Sequence, residues 1–210
     1  MAGQSTGIRM RAHALYIARL QGSHLRSEFH SRIVSRLLPR IGDGWVVDIG
    51  CGPGLLGARI AAARPQARTV GIDIDAEMLR AAREMTGFRV VRASSNALPF
   101  RSGSIEVAVS TASLKDWGDR EGGLAEIQRV TRRGGALLVA DFVTRGPGSS
   151  PDRFRRRFGF LSDVLRRIAG FLVPFSLDDA RRLAERIGGI AELDPDLGVV
   201  LISSSGSANP

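Results

Sequence analysis

Apolar positions recur along this chain in two rhythms. Between residues 28 and 38, Phe29, Ile33, Val34, Leu37 and Leu38 fall at helical intervals, with Ser27 placed to cap the start and Pro39 to stop the end. A weaker helix is predicted over 10–20. From residue 45 the period shortens and two patterns alternate. Strands are predicted over 45–49, 69–72, 88–93, 105–110 and 136–143. Helices are predicted over 55–63, 76–85 and 124–131, with Gly134-Gly135 breaking the chain after the last of them. A helix over 176–187, stopped by Gly188-Gly189, then precedes strands around 191–193 and 199–203. This alternation predicts an α/β fold in one domain: a Rossmann-like, seven-stranded, mostly parallel sheet with helices on both faces. The expected organisation is an N-terminal helical cap (1–39), a ligand-binding core (40–143), an insertion after the fifth strand (144–175), a C-terminal helix and strands completing the sheet (176–203), and a flexible tail (204–210).

Composition narrows the classes. The chain has 210 residues, the size of one domain, and 43% of them are hydrophobic, enough to bury a core. A single cysteine, Cys51, excludes an internal disulfide and a cysteine-rich zinc site. No N-terminal apolar signal or membrane-length apolar run is present, so a cytoplasmic protein is expected. His13, His24 and His30 have no companions at metal-ligand spacing, and no metal is expected. The formal charge is +9, and 29 of the 30 basic residues are arginines, Lys115 being the exception. The stretch 144–175 holds seven arginines against Asp152 and Asp163, a net +5. Its apolar residues, Phe154, Phe158, Leu161, Val164, Leu165 and Ile168 among them, recur at intervals of three and four. A basic amphipathic helix of that kind can cover an acceptor, touch a membrane surface or form a dimer contact through 153–172, and it also admits a nucleic-acid partner.

The informative segment is Val46-Val47-Asp48-Ile49-Gly50-Cys51-Gly52-Pro53-Gly54. A buried strand delivers an acid and then three alternating glycines before a helix, which lets the chain turn tightly and a ligand approach the backbone. A dinucleotide loop would need glycine or alanine at position 55, which is Leu55. Asp48 would repel a pyrophosphate and suits a ligand bearing positive charge. A second acid, Asp73, ends the next strand nineteen residues after Gly54 and can accept both hydrogen bonds of a ribose diol. Asp75, two residues on, reads equally as the cap of the following helix.

Together these segments resemble the class I S-adenosylmethionine-dependent methyltransferases, in particular the small-molecule enzymes typified by ubiquinone and menaquinone methylation. The matching stretches are VVDIGCGPG, GIDIDAEML, NALPFRSGSIEVAVS and LAEIQRVTRRGGALLVAD, in family order. The resemblance implies S-adenosyl-L-methionine as cofactor and a small, apolar or anionic molecule as acceptor. It places Gly50, Cys51, Gly52 and Gly54 in the loop under the methionine moiety, Asp48 near the ammonium, Asp73 on the ribose and Ile74 on the adenine. Ser110 and Thr111 fall at the methionine end. Many relatives carry an aspartate where this chain has Ser94, followed by Ser95, so adenine recognition is expected to rest on the Ser95 amide and apolar packing. Cys51 reads as small and apolar rather than nucleophilic.

For the acceptor side, Lys115 and Asp116 are the candidate catalytic residues, and Tyr16, Trp117, Asp141 and Phe158 the candidate substrate contacts. The alternatives are an RNA methyltransferase using the arginines on phosphates and a non-catalytic scaffold of the same fold. Against the first, the fourth strand ends Val109-Ser110-Thr111-Ala112 and lacks the Asn/Asp-Pro-Pro-aromatic signature of amino-directed nucleic-acid methylation.

Overall fold

The computed structural model describes residues 24–86, 89–143, 175–194 and 199–205. Helix α1 (His24–Leu37) runs into a 3₁₀ turn (Leu38–Arg40). Strand β1 (Trp45–Ile49), α2 (Leu55–Ala63), β2 (Arg68–Asp73), α3 (Ala76–Thr86), β3 (Val90–Arg92) and β4 (Ile105–Thr111) follow. A second 3₁₀ turn (Leu114–Asp116) leads to α4 (Arg120–Val130) and β5 (Thr131–Phe142). Helix α5 (Leu177–Arg186), β6 (Ile190–Asp194) and β7 (Val199–Ser205) complete the described chain. The sheet has seven strands in the order β3-β2-β1-β4-β5-β7-β6. The first five pair in parallel, and β7 runs antiparallel to both β5 and β6. The expected fold class is the observed one.

Period-two alternation explains both faces. Val46, Val107, Val109, Leu138, Ala140, Val199 and Leu201 point one way, against Phe29, Ile33, Val34 and Leu37 of α1 and Leu56 and Ile60 of α2. Their neighbours Val47, Ala108, Leu137, Val139, Val200 and Ile202 point the other way, against Leu124, Ile127 and Val130 of α4 and Leu183 and Ala184 of α5. Strands buried on both faces read as continuous apolar runs, which is the pattern here. Each apolar side chain taken out of water contributes about 1.5–3 kcal/mol, so this two-sided core is the main source of stability.

The elements depart from expectation in three places. Ser27 does not cap α1, which starts at His24; the Ser27 carbonyl instead accepts from Ser31 Oγ within the helix and from Arg59 of α2. The expected break at Gly134-Gly135 lies inside β5, because α4 already ends at Val130 and its Thr131 cap leads straight into the strand. Gly134 takes φ +72°, and a Cβ on Gly135 would lie 2.6 Å from the Glu106 carbonyl, so this glycine pair makes the shift in register between β4 and β5. Strand β7 extends to Ser205, beyond the expected start of the tail.

Glu106 pins the amino-terminal end of this sheet. Its carboxylate accepts from the Gly42 amide at 3.0 Å, the Gly44 amide at 3.1 Å and Arg132 at 2.6 Å, joining the approach to β1 to β4 and β5. Burial alone would raise its pKa, but the Arg132 bond and the two amides outweigh burial and hold the carboxyl below the ordinary value of 4.5. A lowered folded-state pKa supplies stability above the unfolded value that is lost as pH falls through the folded one. Glu106→Gln should therefore cost about 1–2 kcal/mol near neutral pH and flatten the loss of stability between neutral and acidic pH. Urea unfolding across pH reads both; equal stability of the two proteins at neutral pH would refute this role.

Candidate active site

The strand order reverses at β1, which lies between β2 and β4, and in open α/β sheets the general ligand position is the crevice beyond the carboxyl ends of the strands at such a point. The glycine loop fills the step from β1 to α2. Gly50, Gly52 and Gly54 take φ of +67°, +52° and +77°, conformations that side-chain-bearing residues rarely adopt. Their surroundings differ. A Cβ on Gly50 would lie 2.3 Å from Ser113 Oγ, so glycine is required there for close packing. A Cβ on Gly52 would meet nothing within 4 Å, so glycine leaves open space above the backbone there.

Asp48 lies under this loop and is 1% exposed. Its Oδ2 accepts from the Gly57 amide at 3.0 Å, in the first turn of α2, whose N-cap Gly54 has no side chain to offer. Its Oδ1 is buried and has no hydrogen-bond partner. Burial, with a smaller push from the Asp73 carboxylate, raises the Asp48 carboxyl from 3.8 to about 7 against the Gly57 bond. Asp73 is tied to the loop, accepting from Gly52 N at 2.8 Å and from Asp75 N at 2.9 Å through separate oxygens. Each oxygen keeps a further lone pair. Burial raises the Asp73 carboxyl as well, and the two amides offset only part of it. Asp75 caps α3, its Oδ1 accepting from Glu77 N at 2.8 Å. Ile74, between the two acids, is 65% exposed, unusual for a large apolar side chain.

Cys51 points away from the crevice into a small cluster with Leu79, Ala82 and Val90. Burial, reinforced by the Asp48 and Asp73 carboxylates, pushes its thiol well above the ordinary range, so it is an inert packing residue.

Ser110 is fully buried and bonds Ser113 Oγ at 2.7 Å. Ser113 was not legible as a site residue. Its hydroxyl also accepts from Trp117 Nε1 at 3.2 Å and donates to the Ile49 carbonyl at 3.3 Å, linking the end of β4 to the floor of the glycine loop. The chain reaches this position through Ala112, whose φ of 54° is a left-handed conformation in a non-glycine residue. Trp117 packs so closely on Gly123 that a Cβ there would lie 2.6 Å from the ring. Thr111 is half-buried at the mouth.

Lys115 and Asp116 stand beside it. Lys115 Nζ donates to the Ala112 carbonyl at 2.6 Å and pairs with Asp116 at 3.2 Å. Asp141 is 1% exposed and accepts from the amides of Lys115 at 3.1 Å and Phe142 at 2.7 Å. Burial raises its pKa against the opposing pull of Lys115. Asp141, expected as a substrate contact, is a buried support of the Lys115 turn. Ser94 and Ser95 form a tight turn in which Ser94 Oγ accepts from Asn96 N and Ser95 Oγ donates to Asn96 Oδ1. Asn96 Nδ2 holds the turn to the Asp119 carbonyl at 2.8 Å. Arg129 grips the Leu98 and Phe100 carbonyls and Glu126 behind it. Tyr16, Phe158 and the 153–172 segment lie outside the described residues. Among the described residues no cluster could hold a metal ion, and no helix is long and apolar enough to cross a membrane.

Comparison with known proteins agrees with this geometry. Residues 47–139 match the family described as the methyltransferase domain. The demethylmenaquinone methyltransferase of Corynebacterium kroppenstedtii is 35% identical over 52% of this chain and 46% of its own length. The ubiquinone/menaquinone biosynthesis C-methyltransferase of Syntrophotalea carbinolica is 33% identical over 51% of this chain and 47% of its own. The chain thus spans less than half the length of these relatives. A chain from the complex between the Haloferax volcanii Trm112 methyltransferase activator and a methyltransferase superposes with a TM-score of 0.67, covering 91% of this chain and 95% of its own at 18% identity, a likeness of fold.

The Ser113 hub makes a testable claim. Ser113→Ala should cost about 1–2 kcal/mol by leaving Trp117 Nε1 and Ser110 without their partner. Gly50→Ala should destabilise more, since it adds a clash to an unfavourable φ. Thermal and urea unfolding compare the two; a Ser113→Ala protein as stable as the parent would refute the hub.

Proposed function

We propose that this chain is a class I S-adenosylmethionine-dependent methyltransferase that transfers a methyl group to a small acceptor at the crevice beyond β1, β4 and β5. The observation that carries the reading is Asp48: a buried carboxylate with one oxygen unpartnered, beneath a glycine turn with open space above Gly52. Such an oxygen is costly unless a donor or cation meets it. The ammonium of S-adenosylmethionine is a fitting one. The residues present fit the rest of that cofactor too. The free lone pairs of Asp73 suit a ribose diol, exposed Ile74 suits an adenine face, and the Ser94–Ser95 turn stands near the same edge. When bound, the cofactor supplies a methyl group already activated by its sulfonium.

The protein's share is then orientation and exclusion of water. Thr111, Lys115 and Trp117 lie at or just after the carboxyl end of β4 and would face the acceptor side of the bound cofactor. Lys115 Nζ is anchored by the Ala112 carbonyl, to which it donates, and by its pairing with Asp116. Asp116 is exposed and paired with it. These contacts support an anionic acceptor, with Lys115 drawing its negative charge.

Calorimetric titration with S-adenosylmethionine and S-adenosylhomocysteine tests the reading. Binding is expected, and its absence at millimolar ligand would sink it. Asp73→Ala should abolish binding while leaving the fold intact. The sign of the pH dependence follows from Asp48. Its folded pKa is raised, so ionising it destabilises the free protein as pH climbs from about 4 towards 7, and a bound cation offsets that loss. Affinity should therefore rise between pH 6 and 8, with proton release on binding about neutral pH. Asp48→Asn should bind weakly and independently of pH; a parent whose affinity is flat over that range would contradict the role given to Asp48.

A further inference from the structure

The end of the sheet opposite the crevice carries a feature that methyl transfer does not use. Arginines stand at the starts of four of the five parallel strands along this rim, Arg89 before β3, Arg68 on β2, Arg40 ahead of β1, and Arg132 and Arg133 on β5, while β4 carries Glu106 there. All five are exposed. Backbone and side-chain bonds make the rim one surface: Gly71 N donates to the Arg89 carbonyl, Arg68 N to the Gly44 carbonyl, and Glu106 joins Gly44 N to Arg132. Neighbouring strands lie about 4.8 Å apart, so the row from β3 to β5 is roughly 19 Å long.

Two grooves open on it. One, of about 350 Å³, is lined by Trp45, Thr69, Arg68 and Arg89, and the Arg68 guanidinium lies 5.8 Å from the centre of the Trp45 ring. The other, of about 460 Å³, has Arg36 and Arg40 over Leu37, Leu138 and Leu201, with Ser203 beside them. Few carboxylates answer these charges. Glu106 is engaged by Arg132 and two amides, and Glu192 by Arg36 at 3.7 Å. Arg40, Arg89 and Arg133 form no ion pair among the described residues. Arginine is this chain's general choice, so the residue type carries no weight. Its alignment along the strand starts, with Arg40, Arg89 and Arg133 in no ion pair among the described residues, does.

We propose that this rim binds the phosphate backbone of a nucleic-acid strand, with Arg40, Arg68 and Arg89 on phosphates and the smaller groove receiving a base. A base entering there meets Trp45 and Arg68, the combination of cation and aromatic ring that single-strand binders use. An anionic membrane is the competing partner for a basic face. Membrane docking needs protruding apolar anchors, and of the large apolar side chains exposed among the described residues only Ile190 lines either groove. The proposal does not depend on the crevice holding a cofactor.

The test is fluorescence anisotropy of a labelled oligouridylate with the full chain across a salt series. R40A/R68A/R89A should weaken binding by about tenfold or more at low salt and reduce the slope of log K against log salt by about 2, since each phosphate contact on a single strand contributes roughly 0.7. Its circular dichroism and S-adenosylhomocysteine affinity should match the parent's. R155E/R156E/R157E should leave the slope unchanged. Equal binding by parent and R40A/R68A/R89A, loss of binding only in R155E/R156E/R157E, or binding to phosphatidylserine vesicles but not to the oligonucleotide would each overturn the proposal.

Discussion

Burying a carboxylate at the end of a central strand costs more than one hydrogen bond returns, unless something answers its charge. Asp48 holds that position, with Oδ2 on the Gly57 amide and Oδ1 unanswered. The rest of the crevice is arranged around this requirement. Helix α2 must begin close enough to present its amide, so the chain turns within five residues of the strand. Such a turn needs positive φ at Gly50, Gly52 and Gly54. The turn in turn needs support from below, which Ser113 supplies, and from the side, which Asp73 supplies through Gly52 N.

The two ends of the parallel sheet divide the work. At the carboxyl end, buried acids and half-buried polar side chains surround open space, with Asp141 and Ala112 fixing the turn that carries Lys115 and Trp117. At the amino end, Glu106 locks three elements together and arginines face solvent. The charge of +9 is therefore not concentrated in the 144–175 insertion alone. It also has an ordered component along the strand starts, where a linear reading of the sequence saw only scattered arginines.

Much of the fold was legible because doubly buried strands and amphipathic helices leave periodic signals. Val46 and Val47 point to opposite faces, as an uninterrupted apolar run implies, and so do Val199 and Val200. The glycine loop and Asp73 were legible because the turn demands glycine and the acid ends a strand. What escaped depends on tertiary contact. Nothing local marks Ser113, whose importance arises from Ile49, Ser110 and Trp117 meeting it in space. Asp141 looked like a mouth residue because it ends a strand, yet the Lys115 turn folds over it. Gly134-Gly135 looked like a breaker because local pattern cannot register the Glu106 carbonyl pressed against Gly135. Ser27 had the right residue type for a cap, but the helix continues through it to His24.

The central claim is that the unpartnered oxygen of Asp48 reads a positive charge on the ligand. The most direct measurement compares, by equilibrium dialysis at pH 8, the affinity of S-adenosylhomocysteine with that of its analogue lacking the α-amino group. A charge-assisted bond lost at a buried carboxylate corresponds to about 1.5–3 kcal/mol, so the analogue should bind roughly tenfold to a hundredfold more weakly. The same comparison on Asp48→Asn should show a much smaller difference. Equal affinity of the parent protein for the two ligands would contradict the account.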